Sequence, residues 1–122
     1  MFLPFIGEAA NRAALYVGET TIFAAPNPPS GSAINQTAWA CSNANVSVEK
    51  YGNTGCRVKV LSFFTGTAEI RCDYYYYWYD KNGFMHTNNA TTYYYVIQVS
   101  QVQKLMKLKE LSLPTVAEEL RQ

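Results

Sequence analysis

The sequence predicts an all-β sandwich that carries one long aromatic hairpin. Three observations lead there. Short runs alternate apolar and polar residues at the period of a half-buried strand, and clusters of Gly, Pro and Asn separate them. Ten of the 122 residues are tyrosine, a residue that favours both strands and contact surfaces. Finally, Gly66–Gly83 reads as a strand that turns wholly aromatic from Tyr74 to Tyr79 and ends in Asn82-Gly83, a strong hairpin signal.

Taken in order, residues 1–12 carry little pattern and are read as a frayed terminus or an irregular first edge. Ala13, Leu15 and Val17 alternate as a short strand. Gly18-Glu19 turns the chain into Thr20–Ala25, whose inward set is Thr21, Phe23 and Ala25. Three prolines in Pro26–Ser32 remove ladder donors, so this stretch is a loop. The strand Thr37–Cys41 places Thr37, Trp39 and Cys41 on one face. Val46–Val48 is a short strand after a turn cluster, and Cys56–Val60 puts Arg57 and Lys59 outward. In the aromatic strand Ala68, Ile70 and Cys72 point inward. Thr91–Val99 is read as its return arm, with Phe84–Asn89 as a long loop and Tyr93, Tyr94 and Tyr95 packing across from the tyrosines of the first arm.

From Gln101 the pattern changes to Val102, Leu105, Met106 and Leu108 among lysines, closer to a helical stripe than to alternation. Pro114 interrupts it, and residues 101–122 are read as a tail or linker. Leu108–Pro114 also resembles the opening strand of a following repeat, an alternative that the sequence leaves open.

Size and composition exclude several functions. A chain of this length forms one domain with a real core and needs no metal or dense disulfide frame. A net charge of +1 gives no electrostatic basis for binding nucleic acid. No stretch reaches the ~20 apolar residues of a membrane span, so membrane insertion is not expected. Met1–Gly7 lacks a basic region and is broken by Pro4, so it is not read as a signal peptide; the chain is read as a piece of a longer exported protein. Cys41, Cys56 and Cys72 show no paired spacing and His86 is the single histidine, so no metal site or cofactor is predicted.

Four stretches in sequence order carry a family resemblance: Leu15–Thr21 with Phe23 and Ala25, Trp39 followed by Ser42-Asn43, Val46 with Val48, and Gly66–Ile70. Over roughly residues 9–100 the chain resembles the bacterial Ig-like domains of group 2. The resemblance implies an Ig-like sandwich of about seven strands. It also implies a non-catalytic module of a cell-surface or secreted protein, which spaces or presents neighbouring domains and takes part in adhesion. The Tyr-rich hairpin and the cysteines depart from that family pattern.

Two sets of residues remain as candidates. Tyr75, Tyr77, Trp78 and Tyr79, with Asn82 nearby, form an aromatic platform for sugar rings or for another protein, the amides of Asn82, Asn88 and Asn89 bonding hydroxyls. This makes a carbohydrate-binding module the alternative to a structural or adhesion module; a surface protein is the other partner. Cys41 and Cys72 lie inward on neighbouring strands and are read either as a disulfide in an oxidising compartment or as buried thiols. His86 and Asp80 are a base and an orienting carboxylate with no nucleophile placed beside them, so no catalytic residue is assigned.

Overall fold

The computed structural model describes residues 11–111. Seven strands, β1 (Arg12–Leu15), β2 (Thr20–Ala24), β3 (Ala33–Cys41), β4 (Val46–Tyr51), β5 (Gly55–Val60), β6 (Thr67–Tyr79) and β7 (Met85–Gln98), precede one helix, α1 (Gln101–Leu111). They form two sheets, β1-β7-β6-β3 and β2-β5-β4. The architecture is an all-β sandwich.

Alternation places the core as read. Cys56, Val58 and Val60 of β5 are fully buried while Arg57 and Lys59 face solvent. Ala68, Ile70 and Cys72 of β6 meet them from the other sheet, and Phe23 of β2 is buried beside an exposed Ile22. Tyr94 of β7 joins the two sheets. Its ring lies 4.8 Å from Phe23 and 5.3 Å from Trp39, and its hydroxyl donates to the Ala24 carbonyl at 2.5 Å. Trp39 donates its indole N–H to Thr37 Oγ1 at 3.0 Å, and Thr37 donates to the Asn53 carbonyl. The buried threonine therefore carries no unmet polar group.

The structure corrects several expectations. In β1 the three consecutive residues Ala13, Ala14 and Leu15 are all buried, and Val17 is exposed. β1 pairs in parallel with β7, Arg12 to Tyr95 through Leu15 to Gln98, and its consecutive residues are buried on both faces of the strand. The return arm begins at Met85, so Phe84–Asn89 is not a loop. The hairpin loop is only Lys81-Asn82-Gly83, closed by Gly83 N–H to Asp80 O and Asp80 N–H to Phe84 O, both 3.0 Å. Gly83 has φ 85°, the left-handed conformation that a three-residue hairpin loop needs at that position.

Of the two readings of Cys41 and Cys72, disulfide or thiols, the structure has the thiols. Cys41 lies opposite Ile70 and Cys72 opposite Trp39, which sets the two thiols diagonally on one face, two residues out of step. All three cysteines are free thiols. The tail is helical from Gln101 to Leu111, which rules out a strand over residues 108–111; residues 112–122 lie outside the described part. Ser100 Oγ accepts from Gln103 N–H and Gln103 Oε1 accepts from Ser100 N–H, a reciprocal cap. Val102, Leu105, Met106 and Leu108 are exposed and outside the core.

Candidate functional site

The core ends near Tyr74, the last residue of β6 packed against it. Beyond that point β6 and β7 continue to Tyr79 and Met85, flanked by the first residues of β3, Ala33 opposite Tyr77. This three-stranded extension stands outside the hydrophobic core as a blade, with aromatic side chains on both faces.

Period-2 geometry sorts the aromatics. Tyr74, Tyr76 and Trp78 continue the inward row of Ala68, Ile70 and Cys72, with rings 6.2 and 5.9 Å apart. Trp78 stacks on His86, its cross-strand partner, at 5.5 Å and 16°. Tyr75, Tyr77 and Tyr79 occupy the opposite face. Tyr75 and Tyr77 are half-buried, and Tyr79 is 62% exposed. The tyrosines of the two arms do not face each other as expected. Tyr75, Tyr76 and Tyr77 lie opposite Asn89, Asn88 and Thr87, while Tyr93, Tyr94 and Tyr95 lie opposite Arg71, Ile70 and Glu69. A register anchored by Tyr94 in the core slides the two aromatic runs past one another.

The predicted platform therefore divides. Trp78 is on the face opposite Tyr75, Tyr77 and Tyr79, and the Tyr77 and Tyr79 rings meet edge to face at 86°, so the outer row is ridged rather than flat. Asn82 sits in the tip loop, where its N–H donates to Asp80 Oδ1 at 2.8 Å. One residue missed by sequence reading joins the outer row. Asn35 is the extra residue of a bulge in β3, between the Ile34 and Gln36 pairings, and a bulge re-aims its side chain. Nothing in the run Ala33–Cys41 marks that position.

Two adjoining depressions result. One of about 350 Å³ is lined by Asn35, Gln36, Tyr75, Thr87 and Asn89 among others. The other, about 280 Å³, is lined by Asn35, Tyr77, Tyr79, Met85 and Thr87. Sharing Asn35 and Thr87, they make one shallow trough of tyrosine rings edged by amides and a hydroxyl. Such a trough offers apolar ring faces for CH groups and donor–acceptor amides for hydroxyls. The opposite face holds a smaller depression of about 200 Å³ between Pro29, Ser30, Ser32, Tyr76 and Trp78.

At the tip, Asp80 is the organising group. Its Oδ1 accepts the N–H groups of Asn82 and Phe84, and its Oδ2 lies 2.8 Å from His86 Nε2. The hydrogen bond from His86, then those from the Phe84 and Asn82 amides, hold the Asp80 carboxyl below its ordinary value. At the base of the blade the Thr91 hydroxyl, and then Arg71, likewise lower Asp73. Among the described residues, the side-chain contacts of His86 are Asp80 and Trp78. Among the same residues no group of three His, Cys, Asp or Glu side chains is arranged to hold a metal ion. No helix there is long and apolar enough to cross a membrane. No family model matches the chain, and comparisons with curated proteins and with solved structures return no match.

Proposed function

We propose that the chain is a non-catalytic module of the bacterial Ig-like kind, part of a longer cell-surface or secreted protein, and that the aromatic blade is the surface it presents. The observation that carries this reading is the blade itself: an ordered, three-stranded, two-faced aromatic extension lying outside the core that the sandwich needs. The Ig-like assignment draws support from the strand order. The sheets β2-β5-β4 and β7-β6-β3 follow the B-E-D and G-F-C order of immunoglobulin sandwiches, with an inward tryptophan on the third strand. The first strand departs from the constant-type pattern by lying beside the last. In this role the sandwich spaces neighbouring domains and the blade makes the adhesive contact.

The amide-edged trough favours a second reading, recognition of a glycan through Tyr75, Tyr77 and Tyr79 with Asn35. One experiment tests both. The parent domain and a variant with Tyr75, Tyr77 and Tyr79 changed to Ala are applied to arrays of glycans and of surface proteins. Retention that is lost in the folded variant supports the blade as the contact surface, and the array that retains it names the ligand class. Retention unchanged by the three substitutions would contradict the assignment of this face.

A further inference from the structure

The two depressions on the outer face of the blade share a chemical character that narrows what they accept. None of the side chains lining either one is Lys, Arg, His, Asp or Glu. Their polar groups are amides, such as Asn35, Gln36 and Asn89, and the hydroxyls of Thr87 and the tyrosines. Asn35, Gln36, Thr87 and Asn89 are exposed, and among the described residues none of these four side chains is held in an internal hydrogen bond. On the same face of β6, Arg71 and Asp73 precede Tyr75 and are paired with each other. Arg71 Nε lies 3.1 Å from Asp73 Oδ1, which also accepts from the Thr91 hydroxyl. Lys81, in the tip loop, lines neither depression.

Amides and hydroxyls donate and accept, as sugar hydroxyls do, so the two sets pair with no net charge on either side. A carboxylate or sulfate group would surrender hydration in the trough and meet no cation there in return. Ring geometry disfavours flat ligands as well. Tyr77 and Tyr79 meet edge to face at 86°, so one flat ligand cannot stack on both. A pyranose carries CH groups on its faces and hydroxyls around its rim. It can lie on one ring while its rim meets the edge of the next.

Size bears on length. The depressions hold about 350 and 280 Å³, each near the lower end of the ~300–1,000 Å³ of small-ligand sites. Each suits a small unit, and the adjoining pair suits a short chain of them. Of the β3 residues only Asn35 borders both, because the bulge sets it between the Ile34 and Gln36 pairings.

We propose that the trough takes an uncharged oligosaccharide of at least two pyranose units, with the Asn35 amide at the junction between them, a class that stands only if the trough is a glycan site. The tyrosine rings supply stacking, the flanking amides and Thr87 supply orientation, and the lack of charge selects against acidic sugars.

The full chain is applied to immobilised hexose and N-acetylhexosamine oligosaccharides, from single units to tetramers, beside uronic-acid and sialylated oligosaccharides of the same lengths. Retention is expected on uncharged glycans of two or more units, and not on single units or acidic chains. Affinity for the retained glycan should change less than about twofold between about 0.05 and 0.5 M salt, since no ion pair is screened. Asn35→Ala should weaken it about tenfold with an unchanged circular dichroism spectrum, and Asn82→Ala, outside both depressions, should not. Preference for acidic glycans, affinity that falls steeply with salt, or an Asn35→Ala variant that binds like the parent would overturn the proposal while the trough remained a glycan site. Retention on no glycan of either class would overturn the glycan reading itself, and the proposal with it.

Discussion

Replacing Tyr94 separates what its hydroxyl contributes from what its ring contributes. The side chain is 4% exposed and is the point where β7 reaches across to β2. In Tyr94→Phe the ring contacts persist and one hydrogen bond is lost. Its acceptor belongs to the exposed Ala24, so water can replace the donor, and the loss should be about 1 kcal/mol. Tyr94→Ala also empties the space between Phe23 and Trp39. Truncating a buried aromatic costs about 3–5 kcal/mol, a large share of the ~5–15 kcal/mol available to a domain of this size. Urea unfolding should therefore rank parent, Phe and Ala in widely unequal steps. There is a pH signature as well. Burial first, then the nearby Cys72 and Tyr74, push the Tyr94 hydroxyl from its ordinary 10.0 up to about 12. The unfolded chain loses this proton near pH 10 and the folded chain only near 12. The stability owed to the neutral phenol is thus fully present below pH 10 and is lost as pH rises from 10 to 12, by roughly 2–3 kcal/mol. Tyr94→Phe should remove that part of the alkaline slope. Equal losses in the Phe and Ala variants, or an alkaline slope unchanged in Phe, would refute the bridging role.

Other outcomes follow from single contacts. Gly55→Ala places a Cβ 2.6 Å from the Tyr51 carbonyl oxygen, a clash with backbone that cannot swing aside; calorimetry should show a loss of about 1–3 kcal/mol. Iodoacetamide should label Cys41 in the native protein and reach Cys56 and Cys72 only on unfolding, because burial raises both thiols, Cys72 to about 11. Asp80→Ala should speed amide exchange at Asn82 and Phe84 while leaving core amides unchanged. In the parent, the order that Asp80 gives the tip is present above the ordinary carboxylate range and is lost as pH falls through its lowered folded value, a change that chemical shifts at His86 and Phe84 should report.

Where burial repeats every second residue, the fold is legible from the alternation of apolar and polar residues. Cys56–Val60 and Ala68–Cys72 show this, since each inward side chain must leave water and each outward one tolerates it. The start of β7 is different. Met85–Thr91 is polar or exposed on both faces because it lies beyond the core, so no apolar period marks it as strand. β1 is short and parallel, and its burial on both faces departs from the alternation of Ala13, Leu15 and Val17 that marks it as a strand. The register of the aromatic runs depends on Tyr94 reaching Ala24, a contact 70 residues apart that no local pattern encodes. At the helix start Ser100-Gln101-Val102-Gln103 carries the spacing of a reciprocal cap, a signal that the apolar stripe overshadowed. At the candidate site, the division of Tyr75, Tyr77 and Tyr79 from Trp78 follows from alternation. The addition of Asn35 does not, because a bulge is set by pairing between distant strands.

A presented surface requires that residues 74–79 and 85–91 form an ordered sheet outside the core. Residue-resolved amide exchange measures this directly. Strong protection is expected at His86, Asn88 and Ala90, whose N–H groups bond β6, approaching that of Tyr94 and Val96 in the core. Exchange at unfolded-chain rates from Met85 to Ala90, with the core still protected, would contradict it, because the tyrosines would then have no fixed face to present.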